Sequence, residues 1–141
     1  MRQAKGKPKV DWYKRFNNAR EPHVVTLSAN FAGVKAGSTM LISSPAQIAS
    51  YLASIPQGET RTIARMRSDL ARRSRADAMC PVTTAIYLRV VAEVALQDLT
   101  QGKGMDAVAP FWRLVTPDSK VAQGLSCGPE GVEHLARLDA I

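Results

Sequence analysis

At 141 residues, 45% hydrophobic and 22% charged, the chain can bury an ordinary core without disulfides or a metal, and wholesale disorder is excluded. Apolar stretches such as Val90 to Leu96 are too short to cross a bilayer, and polar residues interrupt everything before Val24, so no secretory leader is expected. The formal net charge of +7 has the sign that polyanions attract, and two cysteines, Cys80 and Cys127, make neither a disulfide framework nor a zinc site, so a reducing cytoplasm is expected.

In chain order, Met1 to Arg20 is basic with Trp12, Tyr13 and Phe16 interleaved; these rings either anchor a short helix on the body or stack on a partner. Val24 to Leu27 is a short β-prone run, and Ala32 to Thr39, with Gly33 and Gly37, reads as a connector. Residues 1–39 thus form a basic arm with a short helix and strand. Met40 to Ser43 leads into Ser44-Pro45, a helix cap followed by proline in the first turn. Ile48, Leu52 and Ile55 then recur at helical spacing, and Pro56-Gln57-Gly58 ends the helix.

Thr60 or Thr62 caps a second helix whose buried stripe is Ile63, Met66 and Leu70. After a polar turn over Ser74 to Met79, Cys80-Pro81 opens a helix to about Leu99, with Val82, Ile86, Val90 or Val91, and Val94 expected inward. Pro110 to Val115 reads as a strand followed by a turn at Thr116 to Ser119. Pro129 starts a last helix carrying Val132, Leu135 and Leu138. The fold expected is mainly α with a small β element, one domain over residues 40–141.

The charge is concentrated. Residues 1–38 carry a net charge of +6, residues 61–75 carry +5, and the rest of the chain carries −4. Six arginines in fifteen residues against Asp69 alone is unusual for a solvated helix face, which normally mixes signs. Counterion release from a phosphate backbone rewards this concentration. Two helices joined by a short turn, the first rich in arginine, fit a helix-turn-helix, although any helical hairpin offers the same spacing.

The order of several short motifs adds to this. Ser44-Pro45-Ala46-Gln47-Ile48-Ala49, then Ile55-Pro56-Gln57-Gly58-Glu59-Thr60-Arg61-Thr62-Ile63-Ala64, then Pro110-Phe111-Trp112-Arg113-Leu114-Val115, then Gly128-Pro129-Glu130-Gly131-Val132 and Leu135 follow one another along the chain. In that order they resemble the DNA-binding domain of alkylguanine-DNA alkyltransferases, and the Cys80-Pro81-Val82-Thr83-Thr84 helix start with Phe-Trp-Arg resembles an alkyltransferase-like branch. The resemblance implies a winged helix-turn-helix type of domain in DNA repair, with double-stranded DNA, alkylated duplex included, as partner alongside a protein of a repair pathway.

Residue by residue, the family's nucleophilic cysteine falls on Phe111 and its histidine on Trp112. A phenyl ring cannot accept an alkyl group and an indole N–H only donates, so alkyl transfer at this position is not expected. Arg113 is kept. The family's phosphate-side tyrosine falls near Ile63, and its base-stack arginine near Val82 or Thr83. What the resemblance leaves is non-catalytic duplex binding through Arg61, Thr62, Arg65, Arg72, Arg73, Arg75, Thr83, Thr84 and Arg89. Ile63, Phe111, Trp112 and Arg113 surround a candidate base pocket, unless the two aromatic rings simply fill the core. Two alternatives stay open: an enzyme using Cys80 as acceptor, favoured by a helix dipole but with no histidine near in sequence, or a protein-interaction module that does not bind DNA. No cofactor or metal is expected, since His23 and His134 lack ligand-spaced companions.

Overall fold

The structure, a computed structural model, describes residues 9–141. The start of the basic arm, with Arg2, Lys5 and Lys7, lies outside them. The described chain runs α1 (Trp12–Asn17), β1 (His23–Thr26), β2 (Thr39–Ile42), α2 (Pro45–Ala53), α3 (Ile63–Arg73), β3 (Ala78–Met79), α4 (Pro81–Thr100), α5 (Lys120–Gly124) and α6 (Gly128–Asp139), with 3-10 turns at Met105–Ala107 and Phe111–Arg113. The protein is mainly helical with one small sheet.

Local chemistry sets the helix starts. The Ser44 hydroxyl accepts from the Gln47 amide at 3.1 Å and Pro45 supplies the first turn of α2; the Thr62 hydroxyl accepts from the Arg65 amide at 3.0 Å to begin α3. Pro81 opens α4, but the Cys80 side chain makes no capping bond.

The sheet has the order β1-β2-β3. β1 pairs antiparallel with β2, His23 opposite Ile42 and Thr26 opposite Thr39, while β3 pairs parallel with β2, Met40 opposite Ala78 and Leu41 opposite Met79. The parallel pairing requires a crossover, which α2 and α3 provide. Thr39 and Asp77 clasp the entry to this pair, the Thr39 amide donating to the Asp77 carboxylate at 2.9 Å and the Asp77 amide to the Thr39 hydroxyl at 3.0 Å. Neither β2, in the run leading to Ser44-Pro45, nor β3, inside the polar turn, was expected from local pattern.

Residues 9–39 do not stand apart from the body. α1 packs on α4, where Tyr13 donates to Asp98 and Phe16 lies against the core, and β1 is one of the sheet's two edge strands. The rings of this segment therefore dock.

Ile48, Leu52, Ile55, Met66, Leu88, Phe111 and Val132 are fully enclosed in the core, with Val91 and Leu70 beside them. Ile63 is only partly buried. Three expectations fail. Val82 and Ile86 face solvent, at 49% and 51% exposure, because α4 turns Thr84, Leu88, Val91 and Ala95 inward instead. Leu138 is exposed on α6. The stretch from Pro110 to Val115 is not a strand: the Arg113 amide bonds the Pro110 carbonyl and the Leu114 and Val115 amides bond that of Phe111, so the backbone satisfies itself locally as a 3-10 turn.

Candidate nucleic-acid interface

α3 carries its arginines around a buried tyrosine and a buried aspartate. Tyr51, on α2, is 1% exposed, and its hydroxyl donates to Asp69 of α3 at 2.7 Å. The other oxygen of Asp69 accepts from Arg72 at 2.7 Å, and Arg65 lies 3.5 Å from the carboxylate. These are the i−4 and i+3 neighbours of Asp69, so all three groups share a helix face. Arg61, before α3, and Arg73, at its end, place their guanidinium carbons 5.5 and 5.4 Å from the Tyr51 ring centre. Two cations therefore pair with the Asp69 carboxylate and two more lie on the Tyr51 ring that is hydrogen-bonded to it. The Tyr51 hydrogen bond, then Arg72 and Arg65, hold the Asp69 carboxyl below its ordinary range against the opposing effect of burial.

The array is anchored but not enclosed. The side chains of Arg65 and Arg72 remain 58% and 71% exposed, and Arg73 and Arg75 are exposed as well. Arg67 differs: it donates to the Met79 carbonyl and ties α3 to β3. Arg61 is half-buried, with its Nε buried and lacking a hydrogen-bond partner among the described residues.

Arg75 follows the helix cap Ser74 with φ of +56°, and the next amide, Ala76, bonds back to the Ala71 carbonyl at 2.9 Å. Glycine is the ordinary occupant of this left-handed position. Arg75→Gly is expected to raise unfolding free energy by about 1 kcal/mol in a denaturant titration while weakening binding to duplex DNA. Stability and binding moving in opposite directions would explain why arginine occupies a glycine position; unchanged binding would remove Arg75 from the interface.

Beside the array, a cleft of about 440 Å³ opens at the start of α3. Thr60, Arg61, Arg65, Thr116 and Ser119 supply its polar lining, and Ile63, Trp112 and Leu114 its apolar lining. Of the four residues expected around a base pocket, Ile63, Trp112 and Arg113 line this cleft and Phe111 does not. Phe111 is wholly buried and meets the Trp112 ring edge-on at 5.2 Å between centres. Trp112 is also buried, at 4% exposure, so both rings belong to the core and Trp112 alone also borders the cleft.

Arg113 reaches the cleft wall but is held by the fold. Its Nε and one terminal nitrogen bond the two oxygens of Asp139 at 2.7 and 2.9 Å, and its other terminal nitrogen bonds the Ile55 carbonyl at 2.6 Å. Arg113 chiefly, and the nearby Trp112 indole to a lesser degree, hold the Asp139 carboxyl below its ordinary range. The indole nitrogen itself is buried and falls outside hydrogen-bond geometry with any described partner.

The residues expected at the start of α4 contribute less. Thr84 is not a phosphate contact: it is 1% exposed, and its hydroxyl donates to the Cys80 carbonyl at 2.6 Å. The Thr83 hydroxyl is also buried, without a partner among the described residues. Arg89 is exposed but lies over the Trp12 ring of α1 at 5.2 Å, which Arg15 also approaches, and does not join the Tyr51–Asp69 array. Cys80 is 3% exposed.

No family model, curated protein or solved structure matches this chain. Its site is read from its own side chains.

Tyr51, Asp69 and Asp139 went unnoticed in sequence as site residues. Tyr51 sits in the apolar period of α2 and reads as core, yet a buried tyrosine hydroxyl demands a partner, and Asp69 lies at helical reach of two arginines. Those two facts were the available signal. Nothing local indicated Asp139, whose partner is 26 residues away. Among the described residues no group of three or more His, Cys, Asp or Glu is placed to hold a metal, and no helix is long and apolar enough to cross a membrane.

Proposed function

We propose that the α3 face binds duplex DNA through its phosphate backbone and performs no chemistry there. The observation that carries this reading is the array itself: four guanidiniums, two on the Asp69 carboxylate and two on the Tyr51 ring, against that one acid leave an uncompensated positive surface, which a polyanion would neutralise with release of counterions. The motif resemblance supports the same reading, with α3 and α4 as a helix-turn-helix pair. The connection between them is longer than the usual three or four residues, since it holds β3. Among the described residues no strand follows α4, so the proposal retains the helix pair of the alkyltransferase-like domain without a wing beyond it.

A preference for alkylated guanine is the finer form of this reading, and the cleft favours it. Its apolar wall and hydroxyl rim adjoin the arginines, as a site receiving a base beside phosphates would require. Phe111 and Trp112 occupy the positions of the resembled family's cysteine and histidine, which is the ground for expecting no alkyl transfer.

The test is a titration of two duplexes, unmodified and carrying one O6-alkylguanine, across a salt series. Binding with a log–log salt slope of about −3 to −4, as three to four phosphate contacts give, supports the backbone reading. At least tenfold tighter binding to the modified duplex supports the cleft as a base site. Absence of binding at low salt favours a protein-interaction module instead, and a covalent mass increase on Cys80 after incubation with the alkylated duplex would restore an enzyme.

A further inference from the structure

The acidic residue within the basic face raises a question of sign. An aspartate among phosphate-binding arginines should repel DNA, and its removal should strengthen binding. The geometry points to the opposite: we propose that Asp69, oriented by Tyr51, is a positioning residue that holds the guanidinium array in the arrangement that meets successive phosphates. This rests on the DNA-binding reading above and adds to it which groups set the affinity.

Three observations support it. First, the carboxylate is saturated from within, one oxygen taken by the Tyr51 hydroxyl at 2.7 Å and the other by Arg72 at 2.7 Å, so little of its charge is offered outward. Its side chain is also only 12% exposed, whereas the arginine side chains it holds are 58% and 71% exposed. Second, Tyr51 is both a tether and a platform: its hydroxyl fixes Asp69 while its ring carries Arg61 and Arg73. A single buried side chain from α2 thereby sets the positions of arginines at both ends of α3.

Third, the stoichiometry is wrong for a purely stabilising ion pair. One arginine would satisfy Asp69, and the additional cations repel each other until an anion arrives. Free arginine side chains lose much rotamer freedom when each is fixed on a phosphate. Side chains already held by a ring or a carboxylate lose less, which favours the bound state.

The experiment measures duplex affinity and its salt slope for the full 141-residue wild type, Asp69→Asn, Tyr51→Phe and Arg72→Ala, with melting curves fixing a temperature at which each is folded. Asp69→Asn adds one unit of positive charge, yet binding should weaken about tenfold and the slope should shrink by about one, because Arg72 and Arg65 lose their fixed positions. Tyr51→Phe changes no charge and should weaken binding in the same direction, by about threefold. In the Asp69→Asn background, Arg72→Ala should cost less affinity than in the wild type, since Arg72 is already released.

Tighter binding by Asp69→Asn, with additive effects of Asp69 and Arg72, would overturn the positioning role while leaving DNA binding intact. Failure of the wild type to bind would overturn both. If Asp69→Asn does not fold, Tyr51→Phe decides: wild-type affinity in that variant rejects the proposal.

Discussion

Asp139→Asn is expected to lower the unfolding free energy by about 3 kcal/mol, at the low end of the range for breaking a buried ion pair. Arg113 is the reason. Its side chain is only 16% exposed, and among the described residues Asp139 is the only acid bound to it, so the variant leaves a guanidinium charge largely out of water with the Ile55 carbonyl as its remaining strong partner. In thermal denaturation the midpoint should fall by roughly 10 °C for a chain of this size. A fall of under 2 °C would mean that the bidentate pair is replaceable by solvent.

The same pair sets an acid limit. The Asp139 carboxyl sits below its ordinary value of 3.8, chiefly because Arg113 holds its charged form. A carboxyl depressed on folding contributes stability that is fully present above its unfolded value and is lost as pH falls toward the folded one. The melting temperature should therefore hold steady down to about pH 5 and then decline below about pH 4. Asp69, depressed first by its Tyr51 bond, adds to the decline in the same direction. Asp139→Asn should start lower and fall less steeply across that window, since one of the two contributing groups is gone.

The second large effect concerns binding. Arg65→Gln combined with Arg72→Gln is expected to weaken duplex affinity about 100-fold at low salt and to reduce the magnitude of the salt slope by about two, the signature of two lost phosphate contacts. Glutamine keeps a donor near Asp69 while removing the charge, so the melting point checks that the fold is intact. Both side chains are mostly solvent-exposed, which limits the stability contribution of their pairs with Asp69 to a small fraction of a buried pair's. Loss of affinity with an unchanged slope would indicate that these arginines act through the fold; unchanged affinity and slope would remove α3 from the interface.

The helix starts were legible in sequence because each is a contact between neighbours in the chain. Ser44 with Pro45, Thr62, and Pro81 satisfy or remove orphan amides within a single turn, and no distant residue changes that chemistry. The same holds for the stripe of Ile48, Leu52 and Ile55, and for the arginine excess of residues 61–75, which is a property of composition.

What the chain could not express locally was which partner each group would meet. α4 is apolar around much of its circumference, so periodicity does not choose a face; packing against α1, α2 and the 3-10 turn buries Leu88 and Val91 and leaves Val82 and Ile86 outside. The parallel pairing of β2 with β3 joins segments nearly forty residues apart, and β3 is only two residues long, too short to carry a pattern. Pro110 to Val115 has strand-like composition but no neighbouring strand to supply hydrogen bonds, and it closes its own instead.

The candidate site divides along the same line. Sequence alone determined that α3 would be a strongly basic helix with a capped start, because charge and capping are local. Tertiary structure decided that Tyr51 from α2 would meet Asp69, that Arg113 would be committed to Asp139, and that Phe111 would leave the cleft to Trp112. Burial forces polar groups to find partners wherever the fold brings one within reach, and that reach is set by the packing of helices, not by distance along the chain.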